Sequence, residues 1–253
     1  MDQHFLIDKR VINRIIEYAD LNKKDVVLEI GAGTGNLTQK LAEFAKKVIA
    51  IEIDNKLIYR LNKNLKIIHD VEIIHGDALK IEFPEFNKVV SNLPYSISSK
   101  ITFKLLQYNF DFGILMYQHD FARRMIASYG NKDYSRLSVN TQYFAEVEIL
   151  EIVPKTAFHP RPKVESAIVK LTPRESKHKV LDEQFFLKFV TAMFTQRRKK
   201  IKNAIINTKD MLGIKDLDER HSLLPSYLIN KRPEELSPVE LAYLSNFLAE
   251  NKN

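Results

Sequence analysis

Between Val26 and Leu171, short β-rich runs alternate with helical stretches, an order that leaves a chain few choices besides a parallel sheet with helices on its faces. The spacing predicts seven strands: Val26 to Ile30, Val48 to Ile53, Val71 to His75, Lys88 to Ser91, Phe112 to Tyr117, Val147 to Val153 and Ser166 to Leu171. Helices are predicted over Lys9 to Tyr18, Asn36 to Ala45, Asn55 to Leu65, Ser98 to Tyr108 and His119 to Ser128. The last two strands are joined by Pro154 to Pro162, too short and too proline-rich for a crossover helix, so they are expected to pair antiparallel as a hairpin at one side of the sheet. After Pro173 no strand pattern returns, and Gln184 to Asn207 and Ser237 to Asn251 read as helices. The polar stretch Pro173 to Lys177 marks the expected boundary between an α/β domain, residues 1–173, and a small all-helical domain, residues 174–253.

The 45% apolar content is enough for a core in a chain of 253 residues, yet no apolar stretch approaches the roughly 20 residues needed to cross a bilayer. The N-terminus lacks the apolar segment of a signal peptide, so an unexported, cytoplasmic protein is expected. Zero cysteines exclude disulfides and thiolate metal sites, and the seven histidines form no ligand-spaced cluster, so no metal is expected. A net charge of +7 favours a polyanionic partner, although charge spread evenly over a solvated surface would give the same sum.

A strand, then Gly31-x-Gly33-x-Gly35, then a helix lets backbone amides approach a ligand without side-chain obstruction. Asn36 stands where a dinucleotide-binding loop places its third glycine, which disfavours a nicotinamide-dependent oxidoreductase. Glu52 ends the second strand, where it can accept ribose hydroxyls, and Asp77 ends the third, where it can meet an adenine amino group. Two carboxylates and no loop Lys or Arg suit a ligand with a positive charge and no phosphates, as S-adenosylmethionine is. For any one of these residues a tight turn with solvated carboxylates is the plainer alternative; the ordered set favours the ligand.

The fourth strand runs into Asn92-Leu93-Pro94-Tyr95. The Asn92 side-chain oxygen and the Leu93 carbonyl, stiffened by Pro94, can accept two hydrogen bonds from a planar amino group, and Tyr95 offers a stacking face. Such bonds favour a pyramidal nitrogen with its lone pair aimed at a methyl donor, so catalysis would rest on positioning and electrostatics. Alone, the tetrad is equally a plain proline turn. Phe158 in Phe158 to Val164 could cover the other face of a base while Arg161 and Lys163 meet phosphates; the alternative is a core aromatic beside prolines. Thr191 to Ile206 reads as a helix with a buried stripe and a cationic face carrying Arg197, Arg198, Lys199, Lys200 and Lys202, which is either an RNA-docking face or a solvated one.

These residues resemble the ribosomal RNA adenine N6,N6-dimethyltransferases. The resemblance runs over essentially the whole chain: Gln3-His4-Phe5-Leu6, Glu29 to Gly35, Ile51-Glu52, Gly76-Asp77-Ala78, Asn92 to Tyr95, Phe158 to Ala167 and Phe194 to Lys199. It implies a Rossmann-like methyltransferase domain that uses S-adenosylmethionine to dimethylate two adjacent adenines of small-subunit RNA. It further implies that His4 and Leu6 belong to a strap over the cofactor, that Glu29, Gly31, Gly33, Glu52, Asp77 and Asn92 contact the cofactor, and that Tyr95 and Phe158 clamp a flipped adenine. Arg161, Lys163, Arg197, Arg198, Lys199 and Lys200 are the expected RNA contacts. The implied partner is small-subunit RNA or the pre-assembled subunit, with no membrane, and action as a monomer is expected. Asp2 stands where the family has Gly, and the basic tail that commonly precedes it is missing, so loss of an RNA contact or of strap flexibility is expected. Two alternatives remain at this point: a large-subunit adenine methyltransferase of the antibiotic-resistance type, and a ribosome-assembly factor without turnover.

Overall fold

The computed structural model describes residues 3–66, 68, 70–176, 178–214 and 224–250. Contacts divide the chain into two units, residues 1–122 with 145–174, and residues 123–144 with 175–253.

The first unit is built on a seven-stranded sheet. Its strands are β2 (Val26–Ile30), β3 (Lys47–Glu52), β4 (Val71–His75), β5 (Lys88–Asn92), β6 (Phe112–Gln118), β7 (Ala145–Val153) and β9 (Ser166–Pro173), in the spatial order β4-β3-β2-β5-β6-β9-β7. Strands β4 through β6 in that order are parallel, whereas β9 runs antiparallel to both β6 and β7. The Pro-rich connection therefore closes a hairpin, as its length requires, and β9 inserts between β6 and β7. The central strands read as unbroken apolar runs because both faces are covered: Val48 to Ile51, Val89, Val90 and Ile114 to Tyr117 are all buried. The covering helices include α1 (Lys9–Ala19), α2 (Asn36–Phe44), α3 (Asn55–Asn64) and α4 (Ser98–Leu105). Helix α1 starts where the Asp8 carboxylate accepts the Arg10 N–H, ends at Asp20 in the left-handed region, and buries Val11, Ile12, Ile15, Ile16 and Ala19. Two short strands escape the sequence pattern: β1 (Phe5–Leu6) pairs antiparallel with β8 (Phe158–His159).

The second unit is helical. It holds the end of α5 (His119–Ile126), then α6 (Arg136–Phe144), α7 (Glu183–Thr195), α8 (Ile201–Asn207), α9 (Lys209–Leu212) and further helices at Ser226–Ile229 and Pro238–Glu250. Its core gathers Tyr134 and Val139 with Phe185, Phe186, Phe189, Met193, Ile205, Leu241 and Leu244. Helix α6 is absent from the sequence reading because nearly every side is buried, Ser138, Asn140 and Thr141 included, so no apolar stripe marks it. The expected helix from Gln184 to Asn207 is two helices. It breaks over residues 196–200, where the Ile201 N–H turns to the Lys231 carbonyl (2.8 Å) and Arg197 turns to Glu234, tertiary partners that no periodicity reveals. No helix among the described residues is long and apolar enough to cross a membrane.

Candidate functional site

Strand order reverses between β2 and β5, since β3 and β4 lie to one side and β6 to the other. At such a switch point the two connections leave in opposite directions and open a crevice beyond the strand ends. A cavity of about 340 Å³ occupies it, lined by the glycine loop, the ends of β3 and β4, Asn92 to Ile97, and Gln3 to Leu6.

The loop after β2 needs its glycines. Gly33 has φ +60°, and a Cβ there would stand 3.0 Å from the Phe5 ring. The loop is tied to β3 by the Gly31 N–H on the Ile51 carbonyl (2.8 Å) and by the Gly33 N–H on Glu52 Oε2 (2.8 Å). Glu52 Oε1 also accepts from the N–H groups of Ile53 (2.9 Å) and Asp54 (3.0 Å). Three backbone N–H groups thus hold the Glu52 carboxylate at the end of β3, where it lines the cavity. Asp77 accepts the Leu79 N–H (2.9 Å) and has the exposed Lys80 ammonium 3.7 Å away, a surface pair worth little.

Glu29 reaches the cavity from inside β2. It is 2% exposed, its Oε2 has no hydrogen-bond partner, and burial pushes its pKa up to about 8; the Thr38 hydroxyl lowers it and Glu52 adds to the rise. As a lining residue, Glu29 presents its carboxyl to the cavity, where it suits a cationic or donating ligand group.

Asn92 ends β5, and its Nδ2 donates to the His4 carbonyl (3.0 Å). A carbonyl only accepts, so this bond fixes which way the amide faces, and no donor among the described residues meets Asn92 Oδ1. Pro94 lies close against the Gly31 Cα, 3.2 Å from where a Cβ would be, so the tetrad and the glycine loop interlock. The Tyr95 hydroxyl bonds to Ser166 Oγ (2.6 Å), and burial pushes its pKa up, with the Ser166 bond pulling the other way. His4 sits beside it, ring centroids 5.6 Å apart, and its Nδ1 donates to the Pro160 carbonyl (2.8 Å).

The cavity thus brings together His4, Leu6, Glu29, Gly31, Gly33, Glu52, Asp77 and Asn92 to Tyr95. Phe158 is 1% exposed, pairs in register with Leu6 in the main core and does not line the cavity. Arg161 and Lys163 are exposed in the connection before β9. Arg198, Lys199 and Lys200 are exposed too, but in the turn between α7 and α8 rather than on a helix face. Arg197 is half-buried, paired with Glu234 and donating to the Lys132 carbonyl (2.5 Å). Asp2 lies outside the described residues.

Three positioning residues were missed: Ser166 under Tyr95, Ser91, whose Oγ accepts the Ile30 N–H (2.8 Å), and Asn36, whose Nδ2 donates to the Leu6 carbonyl (3.0 Å). Only Asn36 left a signal, since a polar residue in place of the third glycine needs a use.

The family model for ribosomal RNA adenine dimethylase matches residues 1–243. A Methanosarcina acetivorans protein named "Probable ribosomal RNA small subunit methyltransferase A" is 57% identical over 252 residues, covering 100% of this chain and 94% of that one. A Pyrococcus abyssi protein of the same name is 46% identical, covering 99% and 91%. Among solved structures, a dimethyladenosine transferase from Plasmodium falciparum superposes with TM-score 0.80 at 32% identity over 98% of both chains. The 23S rRNA methyltransferase ErmE gives 0.71 at 30% identity, over 97% of this chain and 99% of its own. A match along nearly the whole length, at these identities, places the chain in the ribosomal RNA adenine dimethylase family.

Proposed function

We propose that the switch-point cavity binds S-adenosylmethionine against an adenine whose N6 amine is held by Asn92, and that the chain dimethylates two adjacent adenines of small-subunit ribosomal RNA. The activity itself follows from the family: the chain is an S-adenosylmethionine-dependent adenine dimethyltransferase. The observation that carries the residue roles is the Asn92 amide, turned by the His4 carbonyl so that Oδ1 is left open at the cavity. The small-subunit substrate is favoured over the large-subunit one because relatives at 46% to 57% identity carry the small-subunit name, against 30% for ErmE.

Bound S-adenosylmethionine supplies an electrophilic methyl group on a sulfonium. The residues fit it: Glu29 lines the cavity with a carboxyl suited to a cation, Gly31 and Gly33 let Pro94 and Phe5 close against the loop, and Glu52 and Asp77 present carboxylates at successive strand ends to hydroxyl and amino donors. On the acceptor side, Asn92 Oδ1 and the Leu93 carbonyl accept the two N6 protons, which draws the nitrogen toward a pyramidal shape and directs its lone pair. Tyr95, anchored by Ser166, gives the base a stacking face. Phe158 acts here as the packing partner of Leu6 beneath the strap. After transfer the acidic ammonium product loses its proton to water, so no strong base is needed. The base must leave its stack to reach the pocket. Arg161, Lys163, Arg198, Lys199 and Lys200 supply phosphate contacts, residues 174–253 serve as an RNA-docking domain, and a cytoplasmic monomer acting on the subunit fits this reading.

The test is methyl transfer from labelled S-adenosylmethionine to unmodified ribosomal subunits, with the modified positions mapped. Two adjacent dimethyladenosines in small-subunit RNA are expected, with Asn92→Ala slowed about 10²-fold to 10³-fold, as for loss of one transition-state hydrogen-bonding group. A single modified adenine in large-subunit RNA would overturn the substrate assignment. Undiminished transfer by Asn92→Ala would remove that residue's role.

A further inference from the structure

Helix α3 carries a stripe that neither the fold nor the cavity uses. Lys56, Tyr59, Arg60 and Lys63 recur at helical spacing and fall within about a 100° arc, opposite the buried Leu57 and Leu61. All four are exposed, Tyr59 at 74%. The helix contains no acidic residue, and among the described residues none of the three cations has a carboxylate partner. The neighbouring helices differ: Arg10 pairs with Asp8, Arg14 with Glu151 and Lys40 with Glu43. The nearby acid is the N-cap Asp54, whose side chain is engaged by the Lys56 N–H (2.7 Å).

Folding alone disfavours this arrangement. Lys56 stands in the first turn, at the positive end of the helix dipole, and Lys56/Arg60 and Arg60/Lys63 are like-charge neighbours at i,i+4 and i,i+3. An unburied tyrosine among uncompensated cations gains nothing from the core, yet it is the combination that holds a nucleic-acid strand, with charge for phosphates and a ring for a base. The stripe faces away from the cavity, but the start of its helix stands beside it, because Ile53, just before the helix, and Leu57, in its first turn, line the cavity.

We propose that the outer face of α3 is a second RNA-docking surface, on the methyltransferase unit, which grips the phosphate backbone of the substrate RNA through Lys56, Arg60 and Lys63 and stacks one base on Tyr59. This rests on the ribosomal RNA substrate reading above.

The test measures binding of unmodified small subunits and of protein-free small-subunit RNA across a salt series, for the wild type, for the triple variant Lys56→Gln, Arg60→Gln, Lys63→Gln, and for Tyr59→Ala. The triple variant should bind both substrates about tenfold more weakly at low salt, with a log Kd against log salt slope shallower by roughly 2 to 3. Tyr59→Ala should weaken binding about tenfold with the slope unchanged. S-adenosylmethionine affinity should be unaltered in both, and the melting temperature of the triple variant should not fall. Wild-type affinity and slope in the triple variant, with wild-type RNA binding intact, would overturn the α3 surface and leave the substrate reading standing. Weakened binding to subunits with unchanged binding to protein-free RNA would assign the face to a ribosomal protein and also overturn it. Failure of the wild type to bind either substrate would sink the RNA reading itself, and this surface with it.

Discussion

At the residue scale, the cavity depends on a few polar atoms whose partners are fixed or conspicuously absent. Glu29 is the clearest. With its carboxyl pushed up to about 8 by burial, it is mostly protonated near neutral pH while no cation is bound. A cationic ligand group would lower that pKa and release a proton, so affinity for S-adenosylmethionine should rise with pH up to about 8. Calorimetry in buffers of different ionisation enthalpy should show proton release near pH 7, and Glu29→Gln should abolish both the release and the pH dependence. The same raised pKa makes a protonated Glu29 stabilise the fold, a contribution present below the ordinary carboxylate range and lost as pH rises through about 8. Gly31, Glu52, Asp77 and Asn92 stand out in the sequence because each ends a strand or lies in the loop just after one, and strand ends converge in an α/β sheet, whereas Glu29, inside β2, entered only through the family resemblance. The burial of Phe158 was not legible, because its strand partner Leu6 is 152 positions away.

At the scale of elements, two predictions concern charges buried or half-buried between segments. Lys88 at the start of β5 pairs with Asp25 (3.1 Å), with side-chain exposures of 8% and 5%, and donates to the Asp20 carbonyl (2.7 Å). Burial raises the Asp25 pKa, but hydrogen bonds from Asn87, the Asn22 N–H and Lys88 outweigh it and hold the carboxyl below its usual range. Lys88→Ala strands that carboxylate and should destabilise the protein by about 3 to 5 kcal/mol, read by denaturant unfolding. The Asp25 contribution is present above the unfolded carboxyl pKa and fades as pH falls through the lower folded value, so the gap between wild type and variant should narrow in acid. In the turn after α7, Arg197→Ala should lower the melting temperature because it frees Glu234 and the Lys132 carbonyl. Arg198→Ala should leave the melting temperature unchanged and weaken RNA binding, since Arg198 is exposed. Both residues belong to one basic run in the sequence, and only the helix break separates a structural cation from free ones.

At the scale of the whole molecule, a net charge of +7 gathers meaning only where cations lack partners. If Arg161, Lys163, Arg198, Lys199 and Lys200 each meet a phosphate alongside Lys56, Arg60 and Lys63, log Kd for small-subunit RNA should change with log salt with a slope of roughly 6 to 7, and a flat response would remove them as phosphate contacts. The sequence by itself determined the layer architecture, the hairpin around β9 and which strand-end residues meet at the cavity, because these follow from period, chain length between elements and turn chemistry, all local. Tertiary structure alone decided that residues 123–144 pack with the helical unit and that β1 pairs with β8. It likewise decided that Asn92 is turned by His4 and that Arg197 is an internal strut. Each of these is a contact between segments far apart in the chain, whose free energy comes from a partner that no local pattern encodes.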